Sequence, residues 1–186
     1  MNRIVQIAGT SGSGKSTIVR EFVRKYHGKP EFRVGRKAPL GYHIPYSVFV
    51  VGAYEAPSAG GCDTFGSEGP GLIERVYSLL YERERESDVV FEGIMMMNHM
   101  RGLELWRKTK ALSVILLTTP LRECIAAVEA RRVNRGRPAK FRTGNLEGNY
   151  KRTEMYCAKL RAEGGPIYEC SRDEAPQKLE DLLCRD

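Results

Sequence analysis

The eight residues Gly9-Thr10-Ser11-Gly12-Ser13-Gly14-Lys15-Ser16 constrain this chain more than any other stretch. They satisfy G-x-x-x-x-G-K-[ST] without departure. They stand between an apolar strand pattern, Arg3 to Ala8, and an amphipathic helix pattern, Ser16 to His27. Glycines at these places let the backbone wrap closely round a diphosphate. Successive N–H groups and the positive end of the helix then face the anion. Lys15 can reach the β- and γ-phosphates, and the Ser16 hydroxyl can ligate Mg2+. Nucleotide contacts are expected from Gly9, Thr10, Ser11, Gly12, Ser13, Gly14, Lys15, Ser16 and Thr17. An ordinary Gly-rich turn would require neither the strand before the loop nor the helix after it.

Strand-like runs at residues 3–8, 46–52, 88–91, 111–118 and 167–170 alternate with helical patterns. That alternation predicts an α/β fold with a mainly parallel five-stranded sheet and helices on both faces. Residues 31–46 read as a hairpin or irregular excursion, and 53–71 as a loop rich in Gly, Ala and Ser. Leu72, Ile73, Val76, Tyr77 and Leu80 recur on one helical face. Thr119 reads as an N-cap with Pro120 in the first turn, opening a helix toward Arg132. A last helix carries Leu179, Leu182 and Leu183, with Pro176 near its start. The chain has 186 residues and neither repeat nor linker. It reads as a single domain, 1–186, with a lid at about residues 130–146.

No run approaches the ~18 apolar residues of a membrane span. The N-terminus enters a strand pattern with no basic start, long apolar stretch or cleavage site, so a cytoplasmic protein is expected. Five cysteines are scattered without Cys-x-x-Cys spacing and three histidines are isolated. Neither a disulfide framework nor structural zinc is expected, and no obligate protein partner is evident.

The chain carries 30 Lys and Arg against 23 Asp and Glu, and the excess is localised. Residues 130–146 hold Arg131, Arg132, Arg135, Arg137, Lys140 and Arg142 without an acid. Such a cluster attracts phosphate-rich partners. It follows the helix after the fourth strand, where small P-loop kinases carry an arginine-bearing lid. Arg131 and Arg135 share a face if that helix continues, whereas Arg132 projects elsewhere. A second run, residues 20–37, has seven cations against two acids and can track a DNA backbone or simply solvate a helix face.

Val89-Val90-Phe91-Glu92 places an acid at the carboxyl end of a strand. Glu92 can hold Mg2+, directly or through water, or orient a nucleophile; alternatively backbone N–H groups satisfy it. In Gly60-Gly61-Cys62-Asp63-Thr64 the glycines allow conformations that aim Asp63 into the crevice. Asp63 there is either a general base or a turn-former or helix cap. Tyr54 can stack on a base. Met95, Met96, Met97 and Met100 either wall a pocket for an extruded base or pack a helix onto the sheet. Asp63-Thr64-Phe65-Gly66 matches the D-x-x-G of switch GTPases. However, no apolar strand leads into it and no Asn-Lys dipeptide exists.

Together GTSGSGKS, V-V-G-x-Y followed by G-G-C-D-T, F-E-G after the third strand and R-R-x-x-R-x-R resemble one family, over about residues 3–142. That family is the phage 5-hydroxymethyluracil DNA kinases, P-loop enzymes of thymidine hypermodification. The resemblance implies the nucleoside and nucleotide kinase type of P-loop fold. It also implies ATP-dependent phosphorylation of the hydroxymethyl group of the modified base within DNA, with Mg2+. Lys15 and Ser16 would serve the phosphates and the metal, and Arg131 and Arg135 of the lid would clamp the γ-phosphate. The resemblance leaves open whether Asp63 or Glu92 is the base. A deoxynucleoside or nucleoside monophosphate kinase with a free acceptor is the competing enzyme. Such kinases usually show Asp-Arg after the third strand, where this chain has Glu92-Gly93-Ile94. A silent nucleotide-binding regulator is a third reading, disfavoured by Lys15, Glu92 and the arginines together. No motif separates ATP from GTP as donor.

Overall fold

The computed structural model describes residues 2–33, 35–55, 60–68, 71–97 and 99–184. Strand β1 (Ile4–Ala8) leads into helix α1 (Lys15–Lys25), followed by β2 (Lys29–Glu31), β3 (Gly41–Ile44) and β4 (Val48–Val51). A 3₁₀ helix (Gly61–Glu68), α2 (Leu72–Glu84), β5 (Asp88–Glu92) and α3 (His99–Thr109) come next. The chain continues through β6 (Leu112–Leu117), α4 (Leu121–Val133), α5 (Gly144–Ala162), β7 (Ile167–Cys170) and α6 (Ala175–Leu183).

The sheet has seven strands in the order β2-β3-β4-β5-β1-β6-β7, rather than the five expected. The five predicted runs are β1, β4, β5, β6 and β7, and their pairings with one another are parallel. Of the two additional strands, β3 lies within the 31–46 excursion and pairs antiparallel with β4, whereas β2 begins at Lys29, before the excursion, and pairs antiparallel with β3. They are three and four residues long and contain Pro30 and Gly41, so no alternating pattern announces them. Tyr46 and Ser47, read as the start of a strand, instead take φ values of 68° and 58° in the turn that delivers β4. Residues 56–59 and 69–70 of the predicted 53–71 loop lie outside the described residues.

β1 is central, and all five of its residues are buried because helices cover both faces of the sheet. On one face Val5 and Ile7 pack with Ile18, Val19 and Phe22 of α1 and with Leu179 of α6. On the other, Ile4 and Ala8 belong to a core with Val76 and Leu80 of α2, Leu105 of α3 and Tyr156 of α5. Leu80 is fully buried. Leu80→Ala should therefore cost about 2–5 kcal/mol through lost transfer energy and a residual cavity. The check is a lower urea midpoint with an unchanged slope.

The predicted helices at 16–27 and 72–80 correspond to α1 and α2, and Pro176 sits in the first turn of α6 as expected. The N-cap assignment of Thr119 does not hold. Pro120 occupies that position, and the Thr119 hydroxyl donates to the Ser13 carbonyl at 3.0 Å. Among the described residues no helix is long and apolar enough to cross a membrane.

Candidate active site

β1 ends at Ala8 and the chain wraps through Gly9–Gly14 into α1. Gly12 takes φ 86°, and a Cβ there would lie 2.3 Å from the Cys124 carbonyl oxygen, so only glycine lets the loop pass α4 so closely. The loop is fastened from outside. Arg172 donates through Nε to the Ser13 carbonyl (3.0 Å) and through Nη2 to the Gly12 carbonyl (2.9 Å), and Thr119 donates to Ser13 as well. Because a trans peptide points its C=O and N–H in opposite directions, holding the Ser13 carbonyl turns the Gly14 N–H away from these side chains. Thr10 is buried and its hydroxyl donates to the Leu146 carbonyl of α5 at 3.3 Å. It ties the loop to the scaffold.

Lys15 is buried and its Nζ donates to the Thr10 carbonyl at 3.0 Å. Burial lowers its pKa, opposed by the Glu92 and Asp63 carboxylates. Ser16 Oγ donates to Glu92 Oε1 at 2.8 Å. Glu92 ends β5 opposite Ile7 of β1 and is 1% exposed. Burial raises the Glu92 carboxyl, opposed by the Lys15 charge and the Ser16 hydrogen bond. The backbone at 60–61 lies directly over this pair. A Cβ on Gly61, where φ is 64°, would stand 2.3 Å from Glu92 Oε1 and 2.4 Å from its carbonyl oxygen.

Asp63 enters from the first turn of the 3₁₀ helix. Its Oδ2 accepts from the Ile94 N–H at 3.0 Å and its Oδ1 from the Met95 N–H at 3.3 Å. Asp63 is thus anchored to the turn that follows Glu92, a contact between distant segments and not a cap of its own helix. A cavity of about 310 Å³ joins these groups. Ser11, Gly12, Gly14, Lys15, Ser16 and Thr17 line it on one side, and Gly60, Asp63, Thr64, Glu92 and Ile94 on the other.

Of the two lid arginines expected to act together, only Arg131 lines the cavity. α4 ends at Val133 with Asn134 as its C-cap, so Arg135 falls in the following turn and not on a continued helical face. Arg132 donates to the Pro138 carbonyl at 2.8 Å and covers Phe141, which braces that turn. Tyr54 is not a stacking platform: its ring is 3% exposed, its hydroxyl donates to the Val51 carbonyl, and its N–H donates to Tyr42. The methionines divide. Met96 and Met97 are core, whereas Met95 and Met100 are 47% and 67% exposed. The 20–37 run divides too. Lys25 pairs with Glu180 at 2.6 Å, while Arg20 donates to the Tyr54 carbonyl and lines the cavity.

Three cavity or loop-bracing residues escaped sequence reasoning: Arg20, Thr119 and Arg172. Arg20 has a signal, since it lies one helical turn beyond Ser16. Arg172 has a weaker one, being the first cation beyond the carboxyl end of the last parallel strand, on the crevice side of such sheets.

The residues fit a nucleotide and a divalent cation. Gly12, Gly14, Lys15, Ser16 and Thr17 line the cavity together, a glycine loop, a buried ammonium and a helix start that suit phosphate oxygens. Ser16 and Glu92 offer hard oxygen donors side by side, enough for Mg2+, which takes one or two protein ligands and completes its shell with phosphates and water.

A glycine loop opening a helix at the carboxyl end of a central parallel strand, with a buried lysine and two carboxylates across one cavity, defines a P-loop protein built to hold a nucleoside triphosphate. One relative is a 5-hmdU DNA kinase of Pseudomonas phage PaMx11, 38% identical over an alignment of 192 residues that spans 97% of this chain and 97% of the other. This chain belongs to the 5-hmdU DNA kinase family, and it is a kinase. No family model matches the sequence. Among solved structures it is similar to deoxyadenosine kinase from M. mycoides with products dCMP and a flexible dCDP bound. That likeness is 14% identity at a TM-score of 0.48, covering 97% of this chain and 96% of the other. The same enzyme with bound dATP gives 15% and 0.47, covering 99% and 100%.

Proposed function

We propose that this chain transfers the γ-phosphoryl group of ATP to the hydroxymethyl oxygen of 5-hydroxymethyluracil in DNA, in the cytoplasm of the infected cell. The observation that carries this reading is the near full-length identity to the phage kinase. The cavity supports it by facing the phosphate-binding loop with Asp63. The hydroxymethyl oxygen forms a bond to the γ-phosphorus as the bond to the β–γ bridging oxygen breaks. ADP leaves with that electron pair, and the hydroxyl proton passes to Asp63. Lys15 and the loop N–H groups hold the β- and γ-phosphates, and Arg131 neutralises charge on the transferring group. Ser16 and Glu92 would hold Mg2+, which supplies charge neutralisation across the phosphates. Each Asp63 oxygen accepts one backbone N–H, which leaves further lone pairs to take a proton.

Asp63→Asn should slow the single-turnover rate by about 10²–10⁴ with ATP affinity retained. An unchanged rate removes Asp63 from the base role. A pH profile examines Glu92 separately. Its carboxylate must be ionised to hold a cation, and burial raises its pKa. The acid limb of kcat/KM should therefore fall at a pH above the ordinary carboxylate range, as Glu92 gains its proton. A limb at the value of an exposed carboxylate would contradict this assignment. The acceptor itself is tested by offering the enzyme 5-hydroxymethyluracil DNA beside free nucleosides and monophosphates. Transfer to the DNA is the expected result, and transfer to free nucleotides alone would overturn the proposal.

A further inference from the structure

Of the cations between residues 130 and 146, only Arg131 lines the catalytic cavity. The chain beyond it is held in a defined turn. The Gly136 and Arg137 N–H groups donate back to the Val133 and Arg132 carbonyls at the end of α4, at 2.8 and 3.0 Å. Arg132 Nε holds the Pro138 carbonyl, and its guanidinium lies 5.5 Å from the centroid of the Phe141 ring. At the far end α5 begins, and its Leu146 carbonyl accepts from the Thr10 hydroxyl of the phosphate-binding loop. Residues 134–143 therefore form a braced arch, rooted at one end in the cavity wall and at the other on that loop.

Arg137, Lys140 and Arg142 belong to this arch; all three are exposed, and none lines the cavity. Among the described residues none of the three makes a side-chain hydrogen bond, ion pair or ring contact. No acid occurs in residues 130–146, and the carboxylate that follows, Glu147, accepts the Thr143 hydroxyl at 2.6 Å. Three positive charges thus meet solvent uncancelled. The donor triphosphate does not require them. Lys15, Arg131, the loop N–H groups and the Mg2+ that Ser16 and Glu92 would hold already face its charge. A strand whose modified base meets Asp63 brings a second set of anions, one backbone phosphate per about 3.4 Å of its length. Five residues of chain span at most about 17 Å, so cations spread over 137–142 can meet successive phosphates.

We infer that the outer face of the arch, through Arg137, Lys140 and Arg142, docks the phosphate backbone of the acceptor DNA, while Arg131 serves the nucleotide. This rests on DNA as the acceptor. A free nucleoside carries no backbone phosphate and gains nothing from the arch, so these three residues favour polymer over monomer.

The test is fluorescence anisotropy of labelled single-stranded oligonucleotides, with and without 5-hydroxymethyluracil, across a salt series. Wild type is compared with the Arg137→Gln/Lys140→Gln/Arg142→Gln variant, and ATP affinity is measured on both. The variant should bind both oligonucleotides about tenfold more weakly, by the same factor, because phosphate contacts carry no base information. Its slope of log K against log salt should be shallower by about 0.7 for each lost phosphate contact, with ATP affinity unchanged. The control is Arg85→Gln/Lys110→Gln, which removes cations ahead of β5 and β6, at the end of the sheet opposite the cavity. It should keep the wild-type slope. Equal affinity and slope in wild type and the triple variant overturn the inference. So does an equal loss per charge in the control, which would reduce the effect to net charge, or a fall in ATP affinity, which would assign the three cations to the donor. Failure of the wild type to bind or phosphorylate DNA would overturn the DNA-kinase reading, and this inference with it.

Discussion

Lys15→Met lowers the single-turnover rate of phosphoryl transfer by about 10²–10³ or more, because it removes a preorganised charge from a dry site. Burial makes that charge count, since neighbouring solvent does not screen it. Methionine keeps most of the side-chain volume, so the loop backbone, fastened by Arg172 and Thr119, stays in place. A second consequence follows at Glu92, whose pKa the Lys15 charge lowers. Without it the carboxyl gains its proton at higher pH, and the acid limb of the remaining activity moves up. Fold stability should fall as well, because the variant leaves the buried Glu92 carboxylate without the Lys15 charge, which outweighs the relieved cost of burying the ammonium. Near-normal turnover in this variant would contradict the role of the loop.

Gly61→Ala has the second large effect, on both fold and site. Its φ of 64° disfavours any residue with a Cβ, and the added carbon would overlap the Glu92 carboxylate and the carbonyl that ends β5. The backbone conformation alone costs about 1–2 kcal/mol, and relieving the overlap adds to that. Relief requires the loop to lift or Glu92 to shift: a shift separates Glu92 from Ser16, and a lifted loop uncovers that pair and carries Asp63 away from it. A lower urea midpoint and a higher Mg2+ requirement are therefore expected together. Gly144→Ala is the control: a Cβ there meets nothing within 4 Å, and the midpoint should stay within about 0.5 kcal/mol. If Gly61→Ala matched wild type in both measurements, the close packing over the Ser16–Glu92 pair would have no functional meaning.

The parallel strands were legible because burial on both faces leaves continuous apolar runs such as Val89-Val90-Phe91. α5 was not, although its buried residues Leu146, Thr153, Tyr156, Cys157 and Leu160 fall at helical spacing. Two of the five are Thr and Cys, and Gly144 and Gly148 interrupt the pattern. Within the site, the loop was legible because it is contiguous, and Glu92 because a strand end announces it. Arg172 acts on Ser13 across 159 positions, an adjacency that only the pairing of β6 with β7 beside β1 creates. Tyr54 failed as a stacking candidate because the hairpin supplies Tyr42 as its partner, and that hairpin had no clear sequence pattern. Arg135 failed because helical spacing was projected past the end of α4 at Val133.

The position of the transferred phosphate tests the central claim most directly. DNA containing 5-hydroxymethyluracil is incubated with the enzyme and γ-labelled ATP, stripped of terminal phosphate, digested to nucleosides and separated. The account predicts label on the hydroxymethyl group of the modified nucleoside and none in unmodified DNA. Label found only at strand ends, or only in free nucleotides, would contradict it.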